Sequence, residues 1–203
     1  MTTLAKRGTG TPVTSGTTWT TTTNAVDGTP PANPATYAVW TSSTSGATAY
    51  IEISGYDFST IPDTDTLNSV SVSLRHFENN TTRIATVTFQ AYSGATPLGT
   101  AVTCTRATAA RNDVGTFPVT LAQLKAANFK IRATATRAAV TQSATFNVDH
   151  IDVTADYTAP HTPGYLKVWN GSAWVSKPMK AWSGSAWVVK PVKRWTGTVW
   201  ELT

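Results

Sequence analysis

The sequence predicts an all-β protein: an antiparallel, jelly-roll-like β-sandwich followed by a small C-terminal region of β-hairpin repeats. Two observations point to the sandwich and one to the hairpins. Small polar and apolar residues alternate with a period of two along several segments, the mark of strands with one face in a core. Threonine, β-branched and strand-favouring, occurs 40 times in 203 residues. Residues 165–203 repeat one Trp-Gly-Trp phrase three times, each with a turn signal at its centre.

In chain order, residues 1–18 are rich in Thr, Gly, Pro and Ser without periodicity and read as a flexible N-terminal arm that a partner could order. No apolar run follows Lys6-Arg7, so no secretion signal is expected. The sandwich is expected over residues 19–157, with alternation from about Tyr37 onward. In NSVSVSLRHF, Val70, Val72 and Leu74 share one face, and Ser69, Ser71, Ser73 and Arg75 the other. In IATVTFQAY the inward residues are Ala85, Val87, Phe89 and Ala91; in NFKIRATATR they are Phe129, Ile131, Ala133 and Ala135. Further strands are expected over 47–53, 98–105, 113–119 and 143–157. The last of these changes phase. Phe146 and Val148 lie on one face, but Ile151, Val153, Ala155 and Tyr157 run one residue out of step, so a β-bulge is expected near Asp149-His150. TLAQLKAAN is the helix candidate, a turn or two capped by Thr120 with Leu121 and Leu124 on one face. Seven or eight strands at regular spacing with almost no helix define the sandwich. TAPHTPG, residues 158–164, reads as a linker to the repeats at 165–203.

The net charge of +5 is not spread evenly. Residues 1–160 carry ten Lys/Arg and ten Asp/Glu, so the excess lies in Lys167, Lys177, Lys180, Lys190, Lys193 and Arg194 against Glu201. Aromatic rings beside basic groups suit single-stranded nucleic acid, but these charges are too few and too regularly spaced, and no nucleic-acid partner is expected. No apolar run of about eighteen residues exists, so no membrane partner is expected either. The lone Cys104 has no disulfide partner and no metal-ligand spacing. His76, His150 and His161 are not spaced as ligands, and no Ser, Cys or Asp stands in a nucleophile context, so an enzyme is not expected. Asp149-His150-x-Asp152 is the densest polar cluster and reads as a solvent-facing bulge.

The repeats are Trp169-x-Gly171-x-x-Trp174, Trp182-x-Gly184-x-x-Trp187 and Trp195-x-Gly197-x-x-Trp200, at a period of thirteen residues. A two-residue turn at Asn170-Gly171 would pair Trp169 with Ser172; a four-residue loop, NGSA, would set Trp169 opposite Trp174. Both registers put the two tryptophans of a repeat on one face, with Val168 and Val175 on the other. Lys177-Pro178 and Lys190-Pro191 then break the ladder. These six rings are the candidate ligand-binding or inter-subunit residues. They serve either as mortar between hairpins or between copies of the protein, or as platforms for sugar rings with the neighbouring lysines meeting anionic polymer.

From Asn24 the chain reads NAVDGTPPANPATYAVW, then AYIEISGYDFSTIPDTDTLNSVSVSLRHF, and closes on ANFKIRATATR and FNVDHIDVTADYT. This order of motifs resembles a β-sandwich module common in virion and tail-associated proteins of tailed bacteriophages, over about residues 19–157. Phe58-Ser59-Thr60-Ile61-Pro62 matches that family's Phe-x-x-Ile-Pro turn. Val148 to Val153 matches its closing strand, with His150 as an added residue. The tandem VWNGSAWV units resemble terminal extensions of minor tail and other virion proteins from phages of actinobacteria. The resemblance implies a non-enzymatic structural protein of the virion, made in the host cytoplasm and associated with the tail or its tip as a minor tail protein, contributing to assembly and host attachment. A capsid-surface decoration protein and a carbohydrate-binding adhesion module are the alternatives. Its implied partners are other virion proteins, further copies of itself and host cell-wall glycan. The opening also resembles discoidin-type carbohydrate-binding jelly rolls, whose Asp-Gly…Thr-x-Trp loop holds a structural calcium. That comparison nominates Asp27 and Thr36 as calcium ligands, although TPPANPA lengthens the loop and displaces Trp40. Otherwise Asp27-Gly28 is an ordinary turn, and no other cofactor is expected.

Overall fold

The computed structural model describes residues 1–16, 18–26, 36–160, 165–195 and 198–202. The chain forms two compact units, Met1–Thr158 and Ala159–Thr203. The first is a β-sandwich of two antiparallel sheets sharing one core. Its strands are β1 (Thr2–Arg7), β2 (Val13–Ser15), β3 (Trp19–Thr20), β4 (Ala38–Ser42), β5 (Thr48–Ser54), β6 (Thr66–Glu78), β7 (Ile84–Ser93), β8 (Thr96–Thr103), β9 (Arg111–Phe117), β10 (Phe129–Arg137) and β11 (Ala144–Thr158). A 3-10 turn covers Thr22–Val26, and the short helix α1 covers Leu121–Lys125.

One sheet runs β3-β4-β11-β6-β9, the other β2-β5-β10-β7-β8. Alternation sets which side chains meet. Val70, Val72 and Leu74 of β6 pair in register with Ala155, Val153 and Ile151 of β11, and all six are buried. Facing them across the core are Ile131, Ala133 and Ala135 of β10 with Val87, Phe89 and Ala91 of β7. Each large aliphatic or aromatic side chain so buried contributes about 1.5–3 kcal/mol. The phase change in β11 is a bulge: the pairing with β6 shifts between Val148 and His150, and Asp149 is the extra residue. Helix α1 carries the Thr120 capping box, in which Thr120 Oγ1 accepts from Gln123 N while Gln123 Oε1 accepts from Thr120 N. The Phe58–Pro62 turn closes the sandwich by sinking Phe58 and Ile61 into the core.

Two expectations need correction. The first residues are not a flexible arm. β1 pairs with β11 from Thr2↔Tyr157 to Arg7↔Asp152, and β2 pairs with β5 on the opposite sheet. Arg7 reinforces this with a fork onto Asp152, Nε to Oδ1 at 2.8 Å and an Nη to Oδ2 at 3.1 Å. Between the two strands Gly8 passes so close to β5 that a Cβ there would lie 2.2 Å from Ile53 Cγ2. The glycines thus mark close packing. In β7, Ala85 does not point inward: the register with β10 skips it, leaving Ala85 exposed and Ile84 in the core.

The second unit is three two-stranded antiparallel hairpins: β12 (Tyr165–Trp169) with β13 (Trp174–Pro178), β14 (Lys180–Trp182) with β15 (Trp187–Val189), and β16 (Lys193–Trp195) with β17 (Trp200–Leu202). No helix among the described residues is long and apolar enough to cross a membrane.

Candidate functional site

Of the two hairpin registers open from sequence, the four-residue loop is the one formed. Trp169 faces Trp174, Trp182 faces Trp187 and Trp195 faces Trp200. The loop residues explain the choice. Asn170 N donates to Ala173 O at 3.0 Å, while Asn170 Oδ1 accepts from Ser172 N at 2.9 Å and Ala173 N at 2.8 Å. Gly171 supplies the positive φ of +103° that a Cβ would resist. Ser183 repeats the arrangement in the second hairpin, its N donating to Ala186 O at 2.9 Å and its Oγ accepting from Ala186 N at 3.1 Å. With a bonded pair closing the loop, the Trp pairs of these two hairpins fall at non-hydrogen-bonded positions, where cross-strand side chains stand closest.

The indoles of each pair meet edge to face or tilted. Their centroids are 5.9 Å apart in the first hairpin, 5.7 Å in the second and 5.5 Å in the third. Pairing of this kind is worth about 0.5–1.5 kcal/mol and leaves every ring exposed. Trp174, Trp187 and Trp200 are 65%, 65% and 63% exposed; Trp169, Trp182 and Trp195 are 52%, 57% and 50%. The second ring of every repeat is therefore the more open one. None of the six is a buried joint between hairpins. The period of two along a strand also sets Lys167, Lys180 and Lys193, each two residues before its tryptophan, on the same face as the ring pair. All three lysines are exposed.

The aromatic residues of the sandwich are differently placed. Trp40 and Phe146 are core residues, and Trp19 stacks edge-on against Phe146 at 6.3 Å. Tyr50 and Tyr92, on the outer side of the second sheet, are both covered by the Arg132 guanidinium, 4.2 and 4.5 Å from their centroids. Glu52 accepts from Arg132 Nε at 2.8 Å and from Lys130 Nζ at 2.7 Å. Burial works to raise the Glu52 pKa, but the Lys130 and Arg132 hydrogen bonds and charges outweigh it and hold the carboxyl below its ordinary value.

A polar cluster escaped the sequence reading because its members come from three separate strands and loops. The fully buried His76 bridges two carboxylates, Nδ1 to Glu78 Oε1 at 2.8 Å and Nε2 to Asp113 Oδ2 at 2.9 Å. Cys104, which follows β8, brings its thiol near; the donor atoms of His76, Cys104 and Asp113 lie within 4.8 Å of one another. Their separation along the chain, 28 residues from His76 to Cys104 and nine from Cys104 to Asp113, is why no ligand spacing is visible in the sequence. The donors are nonetheless engaged with each other: Asp113 takes a fork from Arg111, and Glu78 Oε2 accepts from Ala107 N at 2.6 Å. Burial, with Asp113 and Glu78 beside it, pushes the Cys104 thiol far up, opposite to what a nucleophilic thiol requires. His150, expected to face solvent, is buried with Asp149, whose Oδ2 lies 2.8 Å from Arg75 Nε. Of the calcium candidates, Asp27 lies outside the described residues, and Thr36 is exposed.

No protein-family model matches the chain, and no curated protein matches it. Solved structures do. CBM4 is similar over 76% of this chain and 94% of its own, at 13% identity and a TM-score of 0.41. TmCBM61, solved in complex with β-1,4-galactotriose, is similar over 72% of this chain and 89% of its own, at 7% identity and a TM-score of 0.40. The enzymatically active domain of bacteriophage CBA120 tailspike protein 4 is similar over 77% of this chain and 19% of its own, at 10% identity and a TM-score of 0.37. Similarity at this level speaks to neither ligand nor activity.

Proposed function

We propose that this protein is a non-enzymatic component of a tailed-bacteriophage particle, tail-associated, that contributes to attachment by binding host cell-wall carbohydrate through its Trp hairpins. The observation that carries the binding role is the placement of the six indoles. They are held in three like pairs by facing register, and in the first two hairpins by loop hydrogen bonds as well, yet each is at least half exposed. An aromatic face fixed in place and open to water suits the apolar C–H face of a sugar ring. On the sandwich, by contrast, Tyr50 and Tyr92 are already covered by Arg132. The particle-borne role rests on the order of sequence motifs from Asn24 to Thr158. The non-enzymatic role is supported by the His76 cluster, whose groups satisfy one another and whose thiol is held protonated.

The test is to remove residues 164–203 from the particle-borne protein and measure host adsorption. The proposal expects adsorption to fall while particles assemble normally. Unchanged adsorption with unstable or unassembled particles would overturn it and assign the rings to assembly. Hydrolysis of purified cell wall by the intact protein would overturn the non-enzymatic part.

A further inference from the structure

Resting on the carbohydrate-binding reading above, we propose that the hairpins recognise an acidic sugar polymer, each repeat supplying one subsite made of an indole pair and a lysine. The same unit recurs in all three hairpins: Lys167 with Trp169 and Trp174, Lys180 with Trp182 and Trp187, Lys193 with Trp195 and Trp200. Each lysine is two residues from its ring, about 7 Å along the strand, and on the ring's own face. A sugar stacked on the indoles therefore carries its carboxylate, or that of the next sugar, towards the ammonium group.

The register shows that these charges are not spent inside the hairpins. Lys167 lies opposite Ser176, Lys180 opposite Val189 and Lys193 opposite Leu202, none of them acidic. The one acid of the region, Glu201, is in register with Arg194. Residues 1–160 are electrically balanced, so the +5 of the protein is concentrated where the rings are exposed. One lysine per ring pair matches a ligand with widely spaced acids. A nucleic-acid strand, with a charge on every nucleotide and base-by-base stacking, would be met by a denser basic groove. Three like subsites at a period of thirteen residues suit a polymer, whose repeated sugars engage successive hairpins at high effective concentration.

The intact chain is titrated by tryptophan fluorescence with polygalacturonate and with the same polymer methyl-esterified, which keeps the sugar ring and removes its charge. Oligothymidylate is the nucleic-acid probe. The proposal expects polygalacturonate to bind more tightly than its ester, with an advantage that shrinks as salt is raised. The triple variant K167Q/K180Q/K193Q is expected to lose about 3–30-fold in affinity for the acidic polymer and nothing for the ester. Equal binding of acid and ester, or a triple variant that keeps the acid preference, overturns the acidic-polymer inference and leaves the carbohydrate reading standing. Binding of neither polysaccharide overturns both. Tighter binding of oligothymidylate than of polygalacturonate overturns both in favour of nucleic acid.

Discussion

Replacing Trp174 tests whether the exposed indoles bind or merely brace. A tryptophan presents at most about 250 Å², and at 65% exposure about 160 Å² of Trp174 is open. A sugar stacked on one face covers roughly half of that, about 80 Å², worth about 2 kcal/mol at about 25 cal/mol per Å². Ordering ring and sugar takes back part of this, so Trp174→Ala is expected to weaken polysaccharide binding about 5–30-fold. Alanine also removes the partner of Trp169, so two further variants separate stacking from bracing. Trp174→Phe keeps an aromatic face and should recover most of the affinity. Trp174→Leu keeps apolar bulk against Trp169 without a flat face and should not. The assay is fluorescence titration with host wall polysaccharide, using the far-UV exciton signal of the indole pairs to report hairpin integrity. If Trp174→Leu binds as well as Trp174→Phe, the ring serves only as apolar filler and the reasoning fails.

Two further predictions concern the sandwich. Gly8→Ala puts a methyl 2.2 Å from Ile53 Cγ2 and 2.8 Å from Ser54 O, an overpacking worth about 1–3 kcal/mol. At about 2–4 °C per kcal/mol for a domain of this size, Tm should fall by about 2–12 °C; an unchanged Tm would mean that the N-terminal residues are not docked as described. Glu52→Gln removes the carboxylate shared by Lys130 and Arg132 and should cost about 1–3 kcal/mol at neutral pH. Because the folded-state pKa of Glu52 is depressed, its contribution is complete above the ordinary glutamate value of about 4.3 and is lost as pH falls through the folded value. The Tm gap between wild type and variant should therefore narrow in acid, and a gap that stays constant through the acid limb would refute the ion-pair account.

Legibility followed the range of the interactions. The inward faces of β6 and β10 could be read because each residue's side is set by its neighbours two positions away. The bulge at Asp149 was legible for the same reason, as a break in a period-two pattern. The N-terminal strands were not, because threonine and glycine carry no hydrophobic alternation. What places them is long-range: pairing of Thr2–Arg7 with Asp152–Tyr157 and the approach of Gly8 to Ile53. Ala85 was misassigned because a one-residue skip against β10 is fixed by the partner strand. The His76 cluster was illegible because Cys104 and Asp113 reach it only after the chain crosses from one sheet to the other. The ring pairs of the hairpins were legible down to their shared face. The choice of loop needed the Asn170 and Ser183 side chains, which accept backbone protons across the four-residue turn.

The exposure of the rings is itself a physical problem, since an isolated hairpin is marginal in water and burying its apolar face would stabilise it. The residues between the ring pairs work against that burial. Pro178 ends β13 and Pro191 follows β15, and neither can donate to a neighbouring strand. Exposed Lys177 and Lys190 stand directly before them, placing charge where a continuous sheet would have to form. The described strands accordingly form three separate two-stranded sheets. In the first two loops, NGSA and SGSA, no side chain is larger than Asn and the one apolar residue is alanine. Were the six rings only mortar, a sequence with apolar residues in place of the lysines and without the prolines would hold together better. Keeping both at the same offset in successive repeats forgoes that stability, and what it retains is three pairs of exposed indoles, each with a lysine two residues from its first ring.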